Sequence, residues 1–175
     1  MIELGFLLSL LFVISVISIF TLIRVPKKYK SYFTTAIVIV NALITSWIAI
    51  PALLGNVVQF SVYAGSFFGD ILIRIDGLSA WFLMIINFST IISVIYGSGY
   101  LKSSIEPAIK LNLHWTLFII FHLSMIWVCL LQNGFAFIIA WEVMSVSSML
   151  LILFDYNNAK NIKAGVNYLV QMHLS

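Results

Sequence analysis

The chain alternates between long apolar runs and short polar breaks. The first run goes from Leu4 to Ile23, the second from about Phe33 to Leu54, and the third from Leu78 to Leu101. The fourth goes from about Leu111 to Leu131 and the fifth from about Phe135 to Phe154. Each comes close to the ~20 residues that cross a ~30 Å hydrocarbon layer at about 1.5 Å per residue. A sixth run begins near Ile162, is still apolar at Ser175, and is shorter than a full span. The pattern predicts an all-α integral membrane protein, with residues 1–175 as a single transmembrane domain of five transmembrane helices plus the start of a sixth. The first run reads as a retained helix and not a signal peptide. No positive side chain precedes it, and Arg24 to Lys30 place the positive charge after it. Pro26, Pro51 and Pro107 fall at run ends or in links, and Asn133-Gly134 forms a tight turn that folds the fourth and fifth helices into an antiparallel pair.

The link from Gly55 to Gly77 carries a different period. Ile71, Ile73 and Ile75 alternate with Leu72, Arg74 and Asp76. That alternation predicts a short strand, paired with Gln59 to Tyr63 across Gly65 and Gly69. The expected result is a small extracytoplasmic hairpin between helices two and three that caps the outer surface. Asp76 is placed to cap the start of helix three.

Composition excludes an ordinary soluble domain: 62% of the residues are hydrophobic and 9% charged, against about 45–50% and about 25% in soluble proteins. One cysteine, Cys129, excludes an internal disulfide and a cysteine-based metal cluster. The net charge of +3 is a topology signal. Arg24, Lys27, Lys28, Lys30, Lys102, Lys110, Lys160 and Lys163 all fall on one side of the predicted bundle, and Arg74 alone on the other. The positive-inside rule then puts links 24–32, 102–110 and 155–162 in the cytoplasm and the N-terminus outside, in a multi-pass protein of the cell (inner) membrane. With the charge so explained, no nucleic-acid partner is expected. Trp81, Trp115 and Trp127 fall toward helix ends, where an indole suits the membrane interface. His114 falls at the cytoplasmic edge and is expected to be solvated.

Set the link charges and the helix-end Glu3 aside, and Glu142 is left as the one formal charge well inside a complete span. It lies about eight residues, or roughly 12 Å, from the outer turn. A charge at that depth costs roughly 2.5–3.5 kcal/mol on insertion scales, so it should face the protein interior or a water-filled cavity. Its charged form needs a cation or hydrogen-bond donors, and a carboxyl so dependent on partners suits proton uptake and release. Ser145, Ser147 and Ser148 follow it; their hydroxyls have three uses open to them, binding the carboxyl, carrying water, or satisfying helix carbonyls. Folding the chain about Gln132-Asn133 brings His122 level with Glu142, and folding it near Asn158 brings His173 to the same level. A carboxyl and two imidazoles at one depth resemble a proton relay. Glu142, His173 and His122 are therefore the candidate proton-transfer residues, supported by Ser145 and Ser148. No nucleotide loop, metal-ligand cluster or nucleophile constellation occurs, so no cofactor is expected, and the chain should not be catalytic by itself.

The segment Ala140-Trp141-Glu142-Val143-Met144-Ser145-Val146-Ser147-Ser148 resembles the fifth-helix motif of the antiporter-like proton-channel subunits. Those subunits occur in respiratory complex I (NADH dehydrogenase), in Mrp sodium/proton antiporters, and in formate hydrogenlyase and related hydrogenases. Ile75-Asp76-Gly77-Leu78-Ser79-Ala80-Trp81-Phe82 is similar to the start of the family's third helix, Asn133-Gly134 to its approach to helix five, and Tyr168-Leu169-Val170 with His173 to the start of helix six. The Met-Ser form leans toward the hydrogenase type. The resemblance implies that Glu142 pairs with a lysine on a seventh helix, that the pair gates proton movement, and that a redox module on a partner subunit drives it. His122 is not carried by the resemblance, and Ser175 stands where relatives often have glycine. The expected role is an N-terminal part of a proton-translocating membrane subunit in an oxidoreductase complex. Its partners would be other membrane subunits, the lipid bilayer and protons. A Mrp-type antiporter subunit, with sodium as a further ion, and a non-transporting anchor or scaffold are the alternatives.

Overall fold

A computed structural model describes residues 2–63, 65, 69–102, 107–155 and 159–174, with side chains for 5–63, 65, 69–101, 107–154 and 161–174. Parts of links 102–110 and 155–162, the side chains of Glu3, Lys102 and Lys160, and Ser175 lie outside the described residues. Six helices follow one another: α1 (Ile2–Arg24), α2 (Lys27–Leu53), α3 (Gly77–Lys102), α4 (Ala108–Leu130), α5 (Gly134–Ile152) and α6 (Ala159–Leu174). Strands β1 (Val58–Tyr63) and β2 (Asp70–Ile75) stand between α2 and α3, and a single 3-10 turn, Leu153–Asp155, joins α5 to α6. Helices α1 to α5 are long and apolar enough to cross a membrane. The protein is thus a multi-pass, all-α membrane protein with five spans.

Several helices start earlier than the apolar runs. α2 begins at Lys27 and not near Phe33, α4 at Ala108 and not Leu111, and α6 at Ala159 and not Ile162. Lys27, Lys28, Lys30, Lys110 and Lys163 are therefore helical residues and not link residues. The backbone gains its internal hydrogen bonds whatever the side chain, and a lysine stem lies along an apolar surface while its head stays at the edge. Pro26 and Pro107 precede α2 and α4, and their carbonyls accept from Tyr29 and Lys110 at 2.9 and 3.1 Å. The side chain of Asn133 accepts from the Phe135 and Ala136 N–H groups at 3.1 Å each, which starts α5 immediately after the turn.

The expected hairpin forms, with Gln59 opposite Arg74 and Tyr63 opposite Asp70. Its turn closes through Gly69 N–H donating to Gly65 O at 2.9 Å, and both glycines have positive φ, 87° and 64° for Gly65 and Gly69. Ile73 and Ile75 are buried in the outer core, and the neighbouring Leu72 is exposed. β2 also reaches the α4–α5 turn: Ile73 bridges Leu131, and Gln132 N–H donates to Leu72 O at 2.9 Å. Asp76 caps α3 by accepting from Ser79 N–H at 2.9 Å.

The interior of the α1–α4 bundle is layered. Leu11, Ile48, Ala49, Leu83, Ile126 and Leu130 belong to an apolar cluster near the hairpin. Leu22, Val38, Val94, Leu101, Leu111 and Trp115 form a second one at the basic end. Between them lies a polar layer of buried Ser15, Asn41, Thr45, Asn87, Thr90 and His122. The N–H groups of Asn87 Nδ2 are shared among Ala42 O at 3.2 Å and the hydroxyls of Thr45 and Ser46 at 2.9 Å each, which ties α3 to α2. Asn41 Nδ2 donates to Ser15 Oγ at 3.0 Å and ties α2 to α1. Trp115 is 2% exposed. It is a core residue and not an interface anchor, because α4 turns that face inward against Leu111 and Val94.

Asn87→Ala should destabilise the bundle by about 0.6–2 kcal/mol, the range for interhelical hydrogen bonds in lipid, measured by steric-trap unfolding in bicelles. Ser89→Ala, on the exposed side of the same helix, should change it by less than about 0.5 kcal/mol. Asp76→Ala should cost about 1 kcal/mol in the first turn of α3 and speed amide exchange at Ser79. The Ser79 N–H holds the Asp76 carboxyl below the usual aspartate range. The cap is therefore complete above that range and is lost as pH falls through the lowered value.

Candidate functional site

Helices α5 and α6 pack antiparallel beyond the 3-10 turn. Gly165 makes the approach close: a Cβ there would lie 2.9 Å from Leu153 Cδ2. One further turn along, Ser148 Oγ and Tyr168 Oη meet at 2.9 Å. Glu142 and His173 come next on the two helices, and Glu142 Oε2 lies 2.9 Å from His173 Nε2. The levels read from the sequence for these two residues thus become a direct contact.

The other ring nitrogen fixes the chemistry of this contact. His173 Nδ1 lies 2.9 Å from the Leu169 carbonyl one turn earlier, an acceptor only. Nδ1 therefore carries a hydrogen, and a neutral ring presents a lone pair at Nε2. A carboxylate oxygen also presents lone pairs, and two facing lone pairs repel. At 2.9 Å the contact must hold one proton, as imidazolium with carboxylate or as imidazole with carboxylic acid. Both side chains are 44% exposed on this chain. The pair stands on the surface of the α5–α6 unit, open to whatever covers that face.

The remaining candidates are placed differently. Ser145 Oγ donates to Glu142 O at 3.1 Å, and Ser147 Oγ to Met144 O at 3.0 Å. Ser148 Oγ also lies 2.9 Å from Ser145 O. Of the three uses open to them, the serines take the carbonyl one, and Ser148 adds the link to Tyr168. His122 is fully buried in the polar layer, and among the described residues neither of its ring nitrogens has a hydrogen-bond partner. It is not brought into contact with Glu142 or His173. His114 is only partly exposed: its ring packs edge-on against Trp115 and Phe154, with centroids 5.1 and 4.7 Å away. Lys30 is a buried residue that a search for charges deep inside spans passes over. It is 3% exposed, and its Nζ donates to Leu22 O at 2.8 Å, closing the C-terminal end of α1. Among the described residues no group of three histidine, cysteine or carboxylate side chains is placed to hold a metal.

No family model matches the chain. Among characterised sequences it is similar to proteins named "Putative antiporter subunit mnhA2" from Staphylococcus aureus. One from strain MRSA252 is 38% identical over 86 residues, 49% of this chain and 10% of the relative. One from strain JH9 is 40% identical over the same extent. The matched stretch is thus about a tenth of those relatives' length. Among solved structures the fold is similar to a chain of the membrane-bound sulfane sulfur reductase, an archaeal respiratory membrane complex. That match has a TM-score of 0.74 at 20% identity and covers 93% of this chain and 33% of that one. The likeness in sequence to a putative antiporter subunit thus covers 49% of the chain, and the likeness in fold to a chain of a respiratory membrane complex covers 93% of it.

Nitrogen-15 spectra of the histidine-labelled protein in nanodiscs should show Nδ1 of His173 protonated and a hydrogen-bonded proton at Nε2. Glu142→Gln should shift the Nε2 resonance and leave Nδ1 in place. Identical spectra for the two proteins would mean that the contact does not form.

Proposed function

We propose that this chain forms part of a proton-translocating membrane subunit in a multi-subunit complex, with Glu142 and His173 as neighbouring stations of its proton path. The observation that carries this reading is the one-proton contact at 2.9 Å between the two side chains. A proton reaching the second oxygen of Glu142 leaves the shared one on His173 Nε2, and Glu142 gives a proton up again through that same oxygen to the next carrier on its open side. The Nδ1–Leu169 bond keeps Nε2 aimed at the carboxylate throughout. The open side of the pair is where a cation on a further helix would stand, as the family resemblance implies. His122, apart from the pair, is left as a separate candidate deeper in the bundle. Ser145 and Ser148 act on the helices, not on the proton.

The names of the sequence relatives favour an antiporter type; the exchange of protons for a cation such as sodium is what the motif resemblance adds to that reading. The fold neighbour, from a respiratory membrane complex, favours a redox-driven one; the hydrogenase or NADH dehydrogenase kind rests on the motif around Glu142. Both support a place among other membrane subunits; the lysine and arginine count supports basic ends inside a cell membrane and an N-terminus outside. A non-transporting anchor would use the same contact as a helix-locking hydrogen bond.

Glu142→Gln separates transport from anchoring, because the amide N–H still donates to the Nε2 lone pair of the neutral ring but the residue no longer takes up a proton. In vesicles holding the complete complex, proton movement followed by a pH-sensitive dye should fall to background while the complex stays assembled. His173→Gln should slow it. Unchanged proton movement in Glu142→Gln would leave the pair a structural bond.

A further inference from the structure

A groove of about 810 Å³ opens at the basic end of the bundle, between the first turns of α2 and α4 and the last turns of α3. Its lining changes with depth in an ordered way. Lys27 and Lys28 stand at the start of α2. One turn further along α2 come Ser31 and Thr35, and the Thr35 hydroxyl lies 3.1 Å from that of Ser98 on α3. Ile95, Leu111 and Trp115 supply the apolar lining. Gly99 leaves one wall open: a Cβ built there would meet nothing within 4 Å.

We propose that this groove is a binding site for an anionic phospholipid. The charge order matches such a molecule from head to tail. A phosphate with a second acidic or hydroxylated group meets the two ammonium groups. The glycerol and ester oxygens meet the hydroxyl tier, and an acyl chain lies along the exposed Ile95, with the buried Trp115 behind the groove wall. The groove is at the level where the bilayer itself presents headgroups, since it sits at the ends of three spans. Basic pockets between membrane helices hold acidic headgroups for this reason. A free anion would satisfy the lysines but leave the apolar lining uncovered. A zwitterionic lipid would cover the lining but bring its own cation against Lys27 and Lys28.

Trp115, buried at this groove, provides the probe. The chain is reconstituted in phosphatidylcholine vesicles with small amounts of phosphatidylglycerol or phosphatidylcholine brominated on the acyl chain. The Trp115 signal is taken as the difference from Trp115→Phe. Brominated phosphatidylglycerol should quench it at a mole fraction on the order of tenfold lower than brominated phosphatidylcholine. Lys27→Gln with Lys28→Gln should abolish that preference. Gly99→Leu, which fills the open wall and leaves both lysines in place, should abolish quenching of Trp115 by either lipid. Inorganic phosphate should not relieve the quenching. Circular dichroism checks that each variant keeps its helices, and Gly99→Leu still decides the matter if the double lysine variant does not fold. Equal quenching by the two lipids, or a preference that survives in Gly99→Leu, would overturn the proposal. So would relief by phosphate alone, which would make the site one for free anions.

Discussion

Hydrocarbon offers no hydrogen bonds. Every polar group that enters the membrane region of this chain must find its partner in the chain itself or in something that covers it. The backbone answers with helices from Gly5 to Ile152, broken only outside the spans. The hydroxyls answer by turning back: Ser18, Thr34 and Thr90 each donate to the carbonyl four residues earlier. Asn41 and Asn87, too polar to be satisfied on their own helices, reach across and fix α1, α2 and α3 to one another. Lipid supplies no hydrophobic force between helices, so these bonds and the close packing of small residues such as Ala42, Ala49 and Ala52 hold the bundle in register.

The same constraint separates the two parts of the molecule. In α1 to α4 the polar layer is enclosed. In α5 only Ser145 and Ser147 are buried, and the Glu142–His173 pair faces outward. At the mid-membrane depth that we propose for the pair, a half-exposed carboxyl and imidazole do not lie against lipid. They belong against protein or water, and this is a physical reason to look for an adjoining subunit surface on that side.

Much of this was legible in the residues. Spans follow from the length of the apolar runs, and the strand from the alternation at Ile71, Ile73 and Ile75. The level of His173 follows from rise per residue counted about a turn. That count fixes height and says nothing of direction around the helix axis. His122 and Trp115 show the consequence: each was placed at a sensible depth, but the packing of α4 on α1 and α2 decides that His122 looks into the polar layer and Trp115 into the core. Helix starts were read too late because hydropathy registers side chains, whereas Lys27 to Lys30 continue the backbone ladder. Asn87 and Asn41 were passed over because formal charges alone were weighed, yet in a medium without water an uncharged amide is under nearly the same obligation to find partners.

The contact of β2 with the α4–α5 turn has a mechanical meaning. Ile73 and Leu72 hold Leu131 and Gln132 by backbone pairing, so the hairpin side of α5 is fixed to the α1–α4 bundle. At the basic side Phe154 packs edge-on against His114, and its ring centroid lies 4.9 Å from Lys110 Nζ. The rod of α5 is thus pinned by backbone pairing at one end and by a ring wedged between two α4 side chains at the other. Glu142 stands between the two fixings, so its position is set by the bundle and not by α6 alone.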